Sequence, residues 1–355
     1  MLAEELKKRN LPEFLPDGTE RWEDKRKALL DLMQKTEYGY APKHCAVSPV
    51  DVVIDEHCFG SKAFQYDVKL KCELKNGSFS FPATAIIPNS AKQAPAVVLI
   101  SFAEVIPSKN LPAEELTDEG LAVFTFCYKK VVPDDIDAFD SELAHILYPD
   151  GRKKDDAGTI ALWAWAASRV MDWAVTFPQI DSSKVTVVGQ SRLGKTALLA
   201  GALDERFAIA YSNESGCCGA AVFRGKEGEM ISDIVGRFPY WFCDDFKQFA
   251  GREDELPFDQ DALIAMMMPR RAYVASSAQD SWSDPHSEFL SCVSAGRIWD
   301  RYGKKGFVTP DLFPEENRAF HEGYVGYHMR SGTHTMNRND WHFFLEYLRL
   351  HGILA

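Results

Sequence analysis

The chain has 355 residues, 46% of them hydrophobic and 26% charged, with a formal net charge of −12. This composition is typical of a globular protein and argues against extended disorder, and the length allows a large core without disulfides or a metal. The acidic balance argues against nucleic acid or anionic membranes as partners, and the absence of an 18-residue apolar run predicts no membrane-spanning helix.

The eight cysteines do not follow the CxxC spacing of a zinc site, and we interpret them as reduced and mostly buried. The first residues, MLAEELKKRNLPEF, are polar and contain no apolar segment typical of a signal peptide. We therefore expect a cytoplasmic protein, unless a leader segment has been removed. The sequence does not specify an oligomeric state.

The predicted elements begin with a helix over residues 20–36, whose apolar positions recur at helical spacing with charges on the other face. Alternating stretches then predict antiparallel strands near 48–56, 64–74 and 79–88, separated by turns such as Asn76-Gly77. We expect residues 1–45 to form a helical extension that packs on the rest of the chain.

From residue 94 onward, the pattern changes to short continuous apolar runs at 94–101, 121–126, 184–190, 207–212 and 271–277. Continuous runs are typical of central parallel strands that are buried on both faces. Helical stretches fall between them, notably at 157–176 and 192–204. The alternation predicts a doubly wound α/β sheet, a three-layer αβα sandwich that begins with antiparallel strands. No linker rich in Pro, Gly or Ser divides the chain, so we expect one domain over residues 1–355.

The strongest local signal is KVTVVGQSRLGKTALLAGAL, in which a β-branched strand ends at Gly189 and a helix-forming run follows Ser191. This is the setting of a nucleophile elbow, whose tight turn presents a serine hydroxyl at the N-terminus of a helix. Leu193 stands where the common G-x-S-x-G motif has its second glycine, and Gly194 follows one place later. The alternative is a tight turn in which Ser191 only caps the helix. We favour the nucleophile.

A serine nucleophile needs a histidine base that is held by a carboxylate. His334 is the favoured base because it follows the strand-like run GYHMR and a Ser-Gly-Thr turn, and precedes a final amphipathic helix. Nucleophile, acid and late histidine in this order are typical of the α/β-hydrolase fold. Of the other downstream histidines, we expect His328 to face the sheet and His342 to lie in the core.

Two acids are candidates for the carboxylate. Asp280 follows the last of the apolar runs, where this fold usually carries its acid, and Glu214 follows the run before it. The alternative interpretation of Asp280 is a turn cap. The alternative interpretation of Glu214 is a salt bridge with a nearby arginine such as Arg192 or Arg224. The residues alone leave the choice between the two acids open.

Several segments resemble the glucuronoyl esterases of carbohydrate esterase family 15 and their bacterial relatives: GQSRLGKTALLAGA, NESGCCGAA, FPYWFCDDF, LPFDQDALIAMMMPR, AQDSWSDPHSEF and GTH. The opening RWEDKRKALLDLMQKTEYGYAP also resembles bacterial members. The resemblance covers most of the chain and is strongest over residues 184–345. It implies an α/β-hydrolase fold and a serine esterase that cleaves the ester between the 4-O-methyl-glucuronate of xylan and a lignin alcohol.

The resemblance also implies roles for single residues. Ser191 is implied as the nucleophile and His334 as the base, with Glu214 as the acid. Arg192 is implied to assist the oxyanion, which agrees with its positive charge beside the serine. The implied sugar contacts are Lys195, Trp282 and Glu229. The implied partner is a carbohydrate ester derived from glucuronoxylan.

Other interpretations remain open at this stage. Trp282 is either a surface on which a sugar ring stacks or a core aromatic side chain. A further oxyanion donor is expected from the loop after residues 94–101. No HExxH or similar ligand spacing is present, so we expect neither a cofactor nor a metal. The alternative functions are an acetylxylan or feruloyl esterase and a non-catalytic carbohydrate-binding homologue.

Overall fold

The computed structural model describes residues 1–18 and 20–355. One ten-stranded sheet is formed by β1 (Ala46–His57), β2 (Ala63–Leu74), β3 (Gly77–Pro88), β4 (Ala94–Ser101), β5 (Ala122–Cys127), β6 (Ile180–Gln190), β7 (Ile209–Asn213), β8 (Arg271–Ser277), β9 (Arg318–Phe320) and β10 (Val325–Arg330). The helices are α1 (Leu2–Arg9), α2 (Trp22–Met33), α3 (Cys58–Ser61), α4 (Ala113–Asp118), α5 (Glu142–Leu147), α6 (Thr159–Ala174), α7 (Arg192–Leu203), α8 (Ile231–Arg237), α9 (Gln260–Ala265), α10 (Pro285–Arg301) and α11 (Arg338–Leu350).

The strands follow the order β1-β2-β3-β5-β4-β6-β7-β8-β10-β9. The strands from β1 to β3 pair antiparallel and join β5 antiparallel, whereas β5, β4, β6, β7, β8 and β10 are mutually parallel. The predicted sheet, which begins with antiparallel strands and continues with parallel ones, is therefore confirmed. The strand order reverses beside β4, and a crevice forms at the carboxyl ends of parallel strands at such a point.

Helices cover both faces of the sheet because side chains alternate along each strand. Val98 of β4 packs in one core with side chains of α6 and α7. Its neighbour Val97 points to the other face and packs with side chains of α4 and α11. All residues of β4 and β5 are buried, which explains their continuous apolar runs. The chain thus has the predicted α/β-hydrolase fold, a three-layer αβα sandwich.

Element boundaries depart from the sequence prediction at a few places. The α-helical part of the predicted helix 20–36 is α2, and a π-helical turn, Gln34–Tyr38, continues it. β6 begins at Ile180, before the apolar run that predicted it. His342 was predicted in the core, but it lies exposed on α11, because Trp341 and Phe344 occupy the buried face of that helix.

The N-terminal helices pack on the body of the chain. Arg9 of α1 donates to the Arg224 carbonyl at 3.0 Å, and Arg26 of α2 donates to the Met266 carbonyl at 2.8 Å. All eight cysteines are free thiols, seven of them buried. Within the described residues, no helix combines the length and the apolar character needed to cross a bilayer.

Candidate active site

The predicted site residues lie at the carboxyl ends of adjacent parallel strands. Ser191 directly follows β6 and Glu214 directly follows β7. Asp280 comes three residues after β8, and His334 comes four residues after β10. Because β6, β7, β8 and β10 are neighbours in the sheet, these side chains reach the same edge beside the reversal of strand order.

The backbone at Ser191 is strained in the manner of a nucleophile elbow. Its φ of 59° and ψ of −128° lie in a region that residues with a side chain rarely adopt. A Cβ on Gly189 would lie 2.0 Å from the Leu193 carbonyl oxygen, and one on Gly194 would lie 3.0 Å from Ser212 Oγ. The second glycine of the common motif allows close packing against the neighbouring strand, and in this chain Gly194 has that position. Leu193 instead buries its side chain in the core.

The capping alternative for Ser191 is wrong. Ser191 is the N-cap residue of α7, but its side chain makes no capping hydrogen bond to the described backbone. Its own N–H donates to the Asn213 carbonyl at 2.8 Å, which fixes the turn against β7. The hydroxyl instead borders a cavity at the N-terminus of α7, where the first backbone N–H groups have no intrahelical partners.

His334 lies in the loop between β10 and α11 with its side chain 41% exposed. Its Nδ1 lies 2.6 Å from Asp280 Oδ2 and 3.5 Å from Glu214 Oε2. A carboxylate at Nδ1 holds the proton there and leaves Nε2 as the acceptor. Ser191 and His334 border the same cavity, and bonds between such groups tighten when substrate binds.

The two acids differ in ionisation as well as in distance. Burial raises the pKa of Asp280, but the hydrogen bonds from His334 and Ser283 outweigh it and leave the pKa below its ordinary value. Burial raises the pKa of Glu214 to about 9, although Arg330 opposes this shift. The opposite shifts favour an ionised Asp280 beside the imidazole and a protonated Glu214 at neutral pH.

Glu214 is fully buried among hydrogen-bond donors. Arg330 Nη2 donates to Oε1 at 2.7 Å, Gln190 Nε2 donates to Oε2 at 3.2 Å, and the Ser277 hydroxyl also donates to Oε1. The predicted alternative, a salt bridge with a nearby arginine such as Arg192 or Arg224, is right about the kind of contact but wrong about the partner, which is Arg330.

The turn-cap alternative for Asp280 describes part of its role. Its Oδ1 accepts a hydrogen bond from Ser283 N at 3.4 Å, while Oδ2 faces His334. The sequence reasoning missed Arg330, because an arginine inside a strand-like run carries no signal of its burial behind a histidine.

Arg192 is held in place by Asp134, a residue that the sequence reasoning also missed. Asp134 forms an ion pair with the Arg192 guanidinium and accepts hydrogen bonds from Tyr128 Oη at 2.7 Å and Trp241 Nε1 at 2.8 Å. Burial raises the pKa of Asp134, but the Trp241 and Tyr128 hydrogen bonds and the Arg192 charge bring it below its ordinary value. The Arg192 guanidinium also lies 4.7 Å from the centre of the Trp241 ring.

The predicted sugar contacts line the same cavity as Arg192. Lys195 is buried, donates to the Ser215 carbonyl and has its Nζ 3.9 Å from Glu229 Oε2. The Trp282 side chain is 46% exposed, so its interpretation as a core aromatic is wrong. Arg237, which was not predicted, lies 5.9 Å from the Trp282 ring centre.

All the predicted site residues line one cavity of about 320 Å³. A larger cavity of about 860 Å³ is lined by Lys184, Arg271 and Tyr324, at the amino ends of the parallel strands, and contains none of the predicted residues. The loop after β4, expected to supply an oxyanion donor, contributes Ala103 and Glu104 to a separate cavity of about 40 Å³.

Glu214, Asp280 and His334 bring one donor atom each to within 4.8 Å of one another, a spacing that a metal ion could occupy. The donors that surround Glu214 argue against a cation there, because Arg330 places a fixed positive charge at the same carboxyl group. The three groups together form a carboxylate–imidazole arrangement suited to proton transfer.

Comparison with known proteins identifies the family to which this chain is similar. The family model for fungal glucuronyl esterases matches residues 70–303, well over half of the chain. A carbohydrate esterase from an unknown prokaryotic organism is 43% identical over 199 residues, which cover 56% of this chain and 46% of that relative. A 4-O-methyl-glucuronoyl methylesterase from Hypocrea jecorina is 35% identical over 157 residues, covering 41% of this chain and 34% of that relative. The chain thus matches less than half the length of these two relatives.

The similarity to a solved structure extends over nearly the whole chain. A glucuronoyl esterase from Solibacter usitatus is 28% identical with a TM-score of 0.87, covering 96% of this chain and 97% of that chain. The family resemblance found in the sequence is therefore confirmed, and this chain belongs to the glucuronyl esterase family, carbohydrate esterase family 15.

Proposed function

We propose that the protein is a serine carboxylic-ester hydrolase that cleaves 4-O-methyl-glucuronoyl esters of plant cell-wall carbohydrate. The observation that carries the proposal is the strained Ser191, which borders one cavity together with His334 and Asp280. The names of the relatives, glucuronoyl esterase and 4-O-methyl-glucuronoyl methylesterase, support the substrate class.

The proposed reaction proceeds through an acyl-enzyme. His334 takes the Ser191 proton as Oγ attacks the ester carbonyl, and Asp280 stabilises the imidazolium that forms. Arg192 and its backbone N–H stabilise the oxyanion at the N-terminus of α7. The imidazolium then protonates the leaving alcohol, and water hydrolyses the acyl-enzyme with His334 as the base. Glu214 serves as a second acid that supports the imidazole.

The sugar is proposed to bind on the Arg192 side of the cavity. Lys195 and Glu229 offer a donor and acceptors for hydroxyl groups, and Trp282 offers an exposed face for a ring. The partner is accordingly a glucuronoxylan-derived ester.

We also propose that residues 1–355 form one domain, because a single sheet extends from β1 to β10 and both N-terminal helices contact its helical layers. A cytoplasmic location stays a prediction.

The substrate class is tested by initial rates on benzyl glucuronate, acetylated xylan and methyl ferulate. We expect a clear preference for the uronate ester. A preference for acetylated xylan or for the ferulate would favour the alternative esterase activities. The absence of turnover on all three would favour a carbohydrate-binding protein without catalysis.

The nucleophile is tested with Ser191→Ala, for which we expect a loss of kcat of at least about a thousandfold and no labelling by a fluorophosphonate. Ser183→Ala is the control, because Ser183 lies at the start of β6, far from the catalytic edge. Full esterase activity of Ser191→Ala would contradict the proposed serine esterase mechanism.

A further inference from the structure

Arg330, the last residue of β10, occupies the centre of a buried hydrogen-bond network directly behind His334. Its side chain is 3% exposed, and its Nε donates to Asp340 Oδ1 at 3.1 Å and Oδ2 at 2.9 Å. Its Nη2 donates to Glu214 Oε1 at 2.7 Å. One guanidinium group thus bridges two buried carboxyl groups that come from different elements of the fold.

The same guanidinium group also holds the loop that carries His334. Nη1 donates to the Ser331 carbonyl at 2.8 Å, and Nη2 donates to the Thr333 carbonyl at 3.0 Å and to the Thr335 carbonyl. Carbonyl groups on both sides of His334 therefore accept hydrogen bonds from the single side chain of Arg330. Nη2 has two N–H groups for three oxygen acceptors, so one N–H is shared between two of them. A lysine ammonium cannot reproduce this planar fork of donors.

Asp340 in turn fixes the guanidinium group from the interior. Its Oδ1 accepts from Asn213 Nδ2 at 3.0 Å and lies 3.0 Å from His328 Nε2. Its Oδ2 accepts from Asn337 N at 2.8 Å, and Tyr273 Oη lies 2.9 Å from His328 Nδ1. These residues come from β7, β8, β10 and the start of α11. The network therefore ties the carboxyl ends of β7 and β10 and the interior of β8 to the helix that follows the base.

We propose that Arg330 is a positioning residue, which fixes the His334 loop and the Glu214 carboxyl group so that the imidazole meets Asp280. The inference rests on the proposed function, because Arg330 acts through the proposed base. The charged or titratable groups that face Glu214 are Arg330, Asp340, Asp280 and His334, and its other polar neighbours are Gln190 and Ser277. Removal of the guanidinium group frees three loop carbonyls and leaves Glu214 facing two carboxylates.

Two variants of the full chain separate the effect of the Arg330 charge from the effect of its forked N–H donors. Both are assayed with benzyl glucuronate as the substrate. We expect Arg330→Met to lower kcat about 100-fold with a nearly unchanged KM, because a base displaced by about 1 Å loses rate while the substrate contacts remain. Arg330→Lys keeps the charge but not the fork, and we expect about a tenfold loss of kcat. The acidic limb of the kcat/KM profile moves to higher pH in Arg330→Met only, since loss of a cation favours the protonated imidazole.

Arg26→Met is the matched control. Arg26 is a buried arginine that donates to the Met266 and Ala202 carbonyls and to Glu205, near the C-terminal end of α7 and away from the cavity. We expect both methionine variants to lower the Tm, and only Arg330→Met to change kcat and the pH profile. A folded Arg330→Met with wild-type kcat and pH profile would overturn the inference. If that variant does not fold, a wild-type kcat in Arg330→Lys would overturn it.

The inference and the proposed function fail in different experiments. An inactive Ser191→Ala combined with a fully active Arg330→Lys removes the positioning role and leaves the esterase proposal intact. An active Ser191→Ala removes the esterase proposal itself, whatever the Arg330 variants do.

Discussion

The two flanks of Ser191 are built from different chemistry. On one flank, His334 meets Asp280 at 2.6 Å, and a second carboxyl group lies 3.5 Å from the same nitrogen. On the other flank, the Arg192 guanidinium lies 4.7 Å from an indole ring, and the Lys195 ammonium lies 3.9 Å from a carboxylate oxygen. The first flank can move a proton, whereas the second offers fixed positive charge and an aromatic surface.

This difference separates the rate of the chemical step from recognition of the substrate. Proton transfer depends on which groups are ionised and on the alignment of one imidazole, so changes on the first flank should alter kcat and its pH dependence. The groups on the second flank take no part in the proposed proton transfer, so changes there should mainly alter binding. Arg192 is the exception, because it lies next to the nucleophile and faces charge that develops in the transition state.

The largest expected effect concerns the two acids. We expect Asp280→Asn to lower kcat by about a thousandfold or more, because an amide cannot stabilise the imidazolium and favours the wrong tautomer. Glu214→Gln should lose less than about tenfold, because the raised pKa of Glu214 favours a protonated carboxyl group, which an amide resembles. Steady-state kinetics on benzyl glucuronate would measure both. A greater loss in Glu214→Gln than in Asp280→Asn would reverse the assignment of the ionised acid.

The next effect tests whether Asp134 orients Arg192. We expect Arg192→Met to lower kcat about 100-fold, as for loss of one oxyanion donor. Asp134→Asn should lose about tenfold, because the guanidinium stays but its ion pair is gone. Asp135→Asn is the matched control, since Asp135 is the exposed neighbour of Asp134. Equal activity of the two aspartate variants in the same assay would show that Arg192 needs no anchor.

A smaller effect is expected for binding of the sugar. Trp282→Ala should raise the KM for benzyl glucuronate about tenfold, because it removes an exposed aromatic face beside Arg237. The kcat/KM for p-nitrophenyl acetate should stay unchanged, since that ester has no sugar ring. Tyr302→Ala, which removes a comparably exposed aromatic at the end of α10, should change neither value. A loss on both esters would assign Trp282 to the chemical step instead.

The sequence predicted those features that depend on local pattern. The continuous apolar runs predicted the parallel strands because burial on both faces leaves no polar alternation. The strained turn at Ser191 was predictable because the glycine, the strand and the helix are contiguous in sequence. The loop position of His334 was predictable from the short strand before it and the amphipathic helix after it.

The missed features depend on contacts between distant segments. Asp134 and Arg330 are ordinary charged residues in their local sequence, and only the order of the strands brings them to Arg192 and Glu214. The preference for Asp280 also needed coordinates, because both acids follow neighbouring parallel strands and differ by less than 1 Å in their distance to His334. His342 was misplaced because its aromatic neighbours define the buried face of α11 while it lies between them.

The smallest expected effect is a change of stability with pH, and it tests whether Glu214 holds a proton in the folded protein. Its pKa is about 9 after folding and 4.5 ordinarily, so between these values the unfolded chain releases a proton that the folded chain keeps. The stability due to this group is complete below pH 4.5 and is lost as the pH rises toward 9, with a slope of at most about 1.4 kcal/mol per pH unit. Glu214→Gln cannot titrate, so its free energy of unfolding relative to wild type should increase between about pH 5 and pH 8.

Urea denaturation of both proteins at the two pH values measures this difference. Burial also raises the pKa of Glu37 to about 8 and that of Glu288 to about 8, but both groups are present in each protein, so their contributions cancel. An equal difference in unfolding free energy at both pH values would mean that Glu214 is ionised like Asp280. The proton-transfer flank would then carry two negative charges beside one imidazole, and Arg330 would serve as a counter-ion as well as an anchor.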